Sequence, residues 1–176
     1  MINQQLFFSI FSLAHKNPLL DLLLIFGATY LIFFTFLLVS ALVVRNKEKE
    51  RQTAFLIIIS LIIAEIIINF IHIFIQEPRP YITLHITPLI SGVNSPAFPS
   101  VHTTIMAVVA ASYYFRRSKL APIFLILFLI VAFSRIAVGV HYPFDIIVGI
   151  FVGVTSATTG FALQKRLLKK LGSFLR

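Results

Sequence analysis

Apolar residues run along this chain in long unbroken blocks, separated by short clusters of polar and charged positions. A bilayer core about 30 Å thick takes about 20 residues of apolar helix to cross, with a working range of roughly 17 to 25. Blocks at 19–44, 53–75, 100–115, 120–138 and 144–163 meet or approach that length, which predicts an all-α, polytopic membrane bundle of five spans. The third is the shortest and starts above its apolar run, at Ser100, before ending at Arg116 and Arg117. Residues 2–14 (INQQLFFSIFSLA) are apolar but too short to span, and no Lys or Arg precedes them. They read as a helix lying in the interface, because a cleavable signal would open on basic residues. No internal repeat or low-complexity segment divides residues 1–176, so one domain is expected.

Composition agrees with this pattern. Hydrophobic residues make up 59% of the chain, above the roughly 45–50% of soluble domains, and the mean hydropathy is +0.97. The formal charge of +9 would fit a nucleic-acid binder only if Lys and Arg covered a soluble surface, and here they do not. Arg45, Lys47, Lys49 and Arg51 lie between spans one and two; Arg116, Arg117 and Lys119 between three and four; Lys165, Arg166, Lys169, Lys170 and Arg176 after span five. Only Lys16, Arg79 and Arg135 fall on the other side. Basic residues near span ends stay cytoplasmic, so the expected topology places the N-terminus outside the cytoplasmic membrane and the C-terminus inside. With no cysteine in the chain, disulfides, thiolate metal sites and a Cys nucleophile are excluded.

Chemistry is then expected outside, in the long connection 76–99 and the short one around 140–143. The long connection holds Pro78, Pro80, Pro88, Pro96 and Pro99 and exceeds the usual length of a structureless link, which suggests a binding loop or lid. Pro78 and Pro80 stop the second helix and present Arg79 from a stiffened turn at the membrane surface. Ser100 suits the N-cap of the third helix, leaving its first N–H groups for an anion, with His102 two positions in. His141 and Asp145 are four apart, close enough for the carboxylate to hold one imidazole nitrogen and leave the other free to attack. Two guanidiniums, Arg79 and Arg135, complete a set suited to phosphate. Two histidines, one oriented by Asp, suggest phosphoryl transfer with one as nucleophile and one as acid.

Glu65, Asn69, His72 and Gln76 form a polar stripe along the second span. An ionisable residue within a span is a functional candidate by default, and a structural bond to a neighbouring helix is the alternative for Glu65. In the fifth span Gly149, Gly153 and Ala157 recur every four residues, which predicts close helix packing. His85 reads as a solvated loop residue.

With these residues in view, the chain resembles the type 2 phosphatidic acid phosphatase (PAP2) superfamily. Its signature is Lys, six residues, Arg-Pro; then Pro-Ser-x-His; then Ser-Arg, five residues, His, three residues, Asp. The second part reads Pro99-Ser100-Val101-His102 and the third Ser134-Arg135, His141 and Asp145; the first matches at Arg79-Pro80, with His72 at the Lys position. The resemblance implies that His141 is a nucleophile forming a phosphohistidine, that Asp145 orients it and that His102 protonates the leaving group. Arg79, Ser100 and Arg135 would hold the phosphate, with His72 as a further contact and Glu65 and Asn69 as supporting residues. It also implies a metal-independent reaction needing no cofactor.

Small bacterial undecaprenyl-diphosphate phosphatases of the bacitracin-resistance type look similar, with Glu-Pro-Arg-Pro and no Lys, and an N-terminal stretch like His15-Lys16-Asn17 followed by Asp21. The expected substrate is therefore a polyprenyl diphosphate within the lipid bilayer, with no nucleic-acid partner and no obligatory protein partner. Phosphatidylglycerol phosphate or phosphatidic acid is the alternative substrate, and a small membrane transport component is the alternative class.

Overall fold

The structure is a computed structural model, and it describes residues 2–45, 48–91 and 95–174, with residues 168–174 described by their backbone alone. Lys47, part of the basic tally, and residues 92–94 of the long connection lie outside the described residues, as does Arg176; the side chains of Lys169 and Lys170 lie outside them too.

The described residues form seven helices and no strand. They are α1 (Ile2–Phe11), α2 (Pro18–Val44), α3 (Glu48–Phe74), the single turn α4 (Pro80–Thr83), α5 (Val101–Phe115), α6 (Ala121–Ala137) and α7 (Pro143–Phe174). Three of them, Pro18–Val44, Glu48–Phe74 and Pro143–Leu167, are long and apolar enough to cross a membrane, and α5 and α6 are shorter apolar helices. The protein is thus a multi-pass helical bundle. The apolar blocks locate every long helix, but α3 starts five residues before Thr53 and α7 runs well past Leu163. Hydropathy marks only the lipid-facing length. The Glu, Lys, Gln, Arg and Leu residues at those ends are good helix formers that carry the coil beyond it.

Local chemistry explains the boundaries. Asn17 caps α2, its Oδ1 accepting from the Leu19 N–H at 2.8 Å, with Pro18 at the first helical position. Within α2, residues Phe26–Tyr30 form a π-bulge. α5 ends where Arg117 turns left-handed (φ 49°), and Arg117 and Ser118 N–H groups return to the Tyr114 and Tyr113 carbonyls. Gly139 (φ +89°) ends α6 in a conformation that favours glycine.

α5 lies at the centre, packed by α3, α6 and α7. Its contact with α7 is close because a Cβ on Gly149 would meet the Ser100 carbonyl oxygen at 2.9 Å, and one on Gly153 the Thr104 carbonyl oxygen at 2.6 Å. The four-residue spacing is a packing device, since small residues let helix backbones approach where lipid supplies little hydrophobic drive. Helix α1 does not stand apart from the bundle. Phe7 is fully buried, stacks on Phe11 and meets the Tyr142 ring edge-on at 5.4 Å, and the Asn3 Oδ1 accepts from the Phe144 N–H at the start of α7.

The basic connections share one end of the bundle, where Lys49 Nζ donates to the Arg117 carbonyl at 3.1 Å. The Arg79, Ser100, Arg135 and His141 positions gather at the other end.

Candidate active site

Three backbone junctions converge at that end: the turn before α4, the start of α5, and the α6–α7 link. Each brings a polar side chain into the interior. Arg79 precedes α4 and is buried, where the prolines alone suggested a surface position. Its guanidinium is strapped into the long connection: Nε donates to the Ser95 carbonyl at 3.1 Å and Nη2 to Ser95 Oγ at 3.0 Å, while Nη1 donates to the Val140 carbonyl at 3.0 Å. Arg135, near the end of α6, is equally buried, and its Nη1 donates to the Ala28 carbonyl at 3.0 Å. That carbonyl sits in the π-bulge of α2, where the i→i−4 ladder is interrupted. The bulge lies against α6 at Gly27, where a Cβ would collide with Ser134 Oγ.

Both guanidiniums converge on one atom. Arg79 Nη1 and Arg135 Nη2 each lie 3.3 Å from His141 Nε2. A guanidinium only donates, so Nε2 is the acceptor and the proton of the neutral ring resides on Nδ1. Nδ1 lies 3.3 Å from Asp145 Oδ2, which also accepts from the Tyr142 N–H at 2.8 Å. The tautomer is thereby set from both sides. Burial holds the His141 imidazole well below its ordinary pKa, Arg135 and Arg79 push the same way, and a backbone hydrogen bond at Ala97 opposes them. The ring is neutral at neutral pH, with a lone pair on Nε2. Burial also lowers the Arg79 pKa, opposed by Tyr81 and Asp145, yet an arginine stays charged.

Ser100 is fully buried at the N-cap of α5, but its side chain caps no helix N–H; its Oγ instead accepts from Thr103 Oγ1 at 3.0 Å. The first N–H groups of α5 are thus not taken up by the cap side chain. The Ser100 N–H donates to the Asp145 carbonyl at 3.1 Å, which joins the Pro-Ser-x-His and His-x3-Asp segments directly. His102, half-buried in the first turn, stands within electrostatic reach of Arg79, Arg135 and His141.

No described hydrogen bond joins His72, Glu65 or Asn69 to this network. His72 Nε2 is buried without a partner. Glu65 and Asn69 are exposed and bonded to each other, Nδ2 to Oε1 at 2.9 Å, so the described partner of Glu65 is on its own helix and not a neighbouring one. His85 is exposed. The residues that sequence reasoning missed are Ser95, which acts through its carbonyl and its Oγ, Ala28, which acts through its carbonyl, and Asn3, whose Oδ1 accepts at the start of α7. Only Gly27 marked one of them. Among the described residues no cluster of three His, Cys, Asp or Glu could hold a metal ion.

A multi-pass bundle with a buried, anion-seeking histidine–arginine centre at one end is the architecture of a membrane phosphatase. The chain belongs to the PAP2 superfamily, whose family model matches residues 53–169 and so contains Arg79, Ser100, His102, Arg135, His141 and Asp145. Undecaprenyl-diphosphatase BcrC of Bacillus subtilis (strain 168) is 29% identical over 155 residues, which is 87% of this chain and 79% of that protein. The bacitracin transport permease protein BcrC of Bacillus licheniformis is 28% identical over 167 residues, covering 94% and 82%. Among solved structures, that of Aquifex aeolicus LpxE superposes with a TM-score of 0.78 at 25% identity, over 92% of this chain and 96% of that one.

Proposed function

We propose that this protein removes the terminal phosphate from undecaprenyl diphosphate at the outer face of the cytoplasmic membrane, through a phosphohistidine on His141. One observation carries the reading: the free Nε2 of a neutral, Asp145-held imidazole lies between two buried guanidiniums. A phosphate whose oxygens replaced Nε2 as acceptors for Arg79 and Arg135 would have its phosphorus in front of the lone pair.

In the first step a bond forms from Nε2 to the terminal phosphorus and the bond to the bridging oxygen breaks. His102 donates its proton to that oxygen, and undecaprenyl phosphate leaves. Arg79, Arg135 and the N–H groups at the start of α5 hold the equatorial oxygens, where charge builds, and Ser100 fixes the start of that helix. Asp145 stabilises the ring as it becomes cationic. In the second step water, deprotonated by His102, attacks phosphorus; the P–N bond breaks and inorganic phosphate is released. Neither step routes through a metal. The similarity to undecaprenyl-diphosphatase BcrC supports the substrate, and the gathering of basic residues at the opposite end supports the orientation. Five crossings follow if α5 and α6, each shorter than a full span, enter the bilayer from a sunken outer end, with α1 resting in the interface.

A transport role, the other name borne by a relative, needs polar groups lining a path through the middle of the bundle. Glu65 and Asn69, the mid-span polar residues of α3, are instead exposed and bonded to each other, and the groove that Glu65 shares with α5 is otherwise almost wholly apolar. Purified protein, assayed with a chelator present, is expected to release phosphate from undecaprenyl diphosphate faster than from phosphatidylglycerol phosphate or phosphatidic acid, and to carry acid-labile label on His141. Preference for either rival lipid would overturn the substrate; an unlabelled His141 during turnover would overturn the mechanism.

A further inference from the structure

A second lipid-shaped feature lies below the active site and reaches the opposite end of the bundle. Helices α6 and α7 both pack along α5 but hardly on each other. Between them α5 presents a floor of alanine, buried Ala107 and Ala110 and half-buried Ala111, and the small floor leaves an apolar trough of about 550 Å³ walled by Phe128, Ile150 and Val154. From Ala107 to Phe115 the floor rises through roughly 12 Å of helix, close to the roughly 15 Å half-thickness of a bilayer core. It stops about 7 Å of helix rise short of His102.

The far end of this trough opens onto a different surface. Tyr114, Phe115, Ala121 and Pro122 are shared with a cavity of about 620 Å³ that is lined by Arg117, Ser118 and Lys119. Arg117 and Lys119 are exposed, and among the described residues the one ion pair is His141–Asp145, so neither cation has a carboxylate partner. The left-handed turn at Arg117 is held by the bond from Lys49 Nζ to its carbonyl. Basic residues at span ends are ordinary topology signals, but topology requires neither a cavity nor an apolar channel ending in it. Basic pockets between spans on that side of a membrane are a recognised means of holding anionic head groups.

We propose that the trough and its basic mouth bind one anionic phospholipid from the leaflet opposite the active site, with its phosphate at Arg117 and Lys119 and one acyl chain between α6 and α7. The bound chain fills the space that separates these two helices, whose other ends carry Arg135 and Asp145.

The test is native mass spectrometry of the full chain released from bilayers of equal phosphatidylglycerol and phosphatidylcholine. Wild type is expected to retain one phosphatidylglycerol at least tenfold over phosphatidylcholine. Arg117→Gln with Lys119→Gln brings that ratio to within twofold of one, and Ala111→Phe removes both lipids, with Ala111→Leu as the smaller filling should phenylalanine prevent folding. Release of phosphate from a short-chain prenyl diphosphate, retained in these variants, shows that they are folded. Equal retention of the two lipids by wild type overturns the proposal, as does an unchanged ratio in the double variant. Retention of inorganic phosphate equally by wild type and Ala111→Phe would assign the mouth to a free anion. A KM that rises in Ala111→Phe for long-chain but not short-chain prenyl diphosphate, with lipid retention unchanged, would assign the trough to the substrate's tail; both results overturn it.

Discussion

At the site end of the bundle, Arg79 and Arg135 face Asp145 and a neutral His141, all four buried. At the opposite end Glu50 and Gln164 are buried beside half-buried Gln52 and Arg116: Arg116 donates to Gln52 Oε1, and Gln164 Nε2 donates to the Gln52 carbonyl at 2.6 Å. Polar atoms without partners occur at both ends, among them Arg135 Nε and Asp145 Oδ1 at one and Glu50 Oε2 and Arg116 Nε at the other. Unpaired atoms therefore do not separate an active site from a structural cluster. Charge balance does. The far end sets the Glu50 carboxylate beside one half-buried guanidinium, whereas the site end sets the Asp145 carboxylate against two buried guanidiniums, with the half-buried Glu77 within electrostatic reach. An excess of buried positive charge is costly, and here that excess favours the binding of a phosphate.

The largest expected effect contrasts the two ends directly. His141→Ala should lower kcat by about 10⁴-fold or more, as expected for removal of a covalent nucleophile, while Glu50→Gln should leave turnover within about twofold of wild type. Loss of activity in Glu50→Gln at unchanged folding would break the contrast. A middle-sized effect concerns Arg135. Arg135→Met should reduce kcat/KM by about 10²–10³-fold, the usual loss for one transition-state donor, without lowering the unfolding midpoint of the ligand-free protein, because a buried unbalanced charge is removed with it. Inorganic phosphate at 100 times its Kd should stabilise wild type by about 2.7 kcal/mol and this variant far less; equal stabilisation would show that the second guanidinium does not hold the anion.

The smallest effect is on pH dependence. His141 stays neutral in the folded protein because its pKa is depressed, whereas in the unfolded chain it protonates below about pH 6.5. The unfolded state then binds the extra proton, so this group makes stability fall as pH drops through that value, by at most about 1.4 kcal/mol per pH unit. His141→Asn should flatten that part of the stability profile between pH 6.5 and 5. An unchanged slope would mean that the imidazole is charged in the native state.

How much of this was legible in the sequence depended on how local the determinant was. The helices could be read because lipid demands continuous apolar length, and Ser100, His102, His141 and Asp145 because their spacing is carried within single turns. The burial of Arg79 was not legible, since it depends on Ser95 sixteen residues away folding back over the guanidinium. The anchor of Arg135 is a backbone carbonyl in a π-bulge, and carbonyls leave no mark in a sequence. Glu50 sat within a run of charges that pattern alone assigns to water, yet it is buried in the cluster with Gln164. The role of α1 depended on Asn3 reaching a helix that begins 140 residues later.

The start of α5 also fixes where the reaction meets the membrane. Val101, Thr104 and Ile105 line one groove with residues 61–68 of α3, and α3 continues for about 9 Å of helix beyond Ile68. In the proposed orientation the scissile bond is handled beneath the plane of the surrounding head groups. A polyprenyl chain need not be drawn out of the hydrocarbon, a step that would cost about 0.8 kcal/mol for each CH₂ exposed to water. The traffic then runs the other way: water must descend to the proposed phosphohistidine, and inorganic phosphate must climb back.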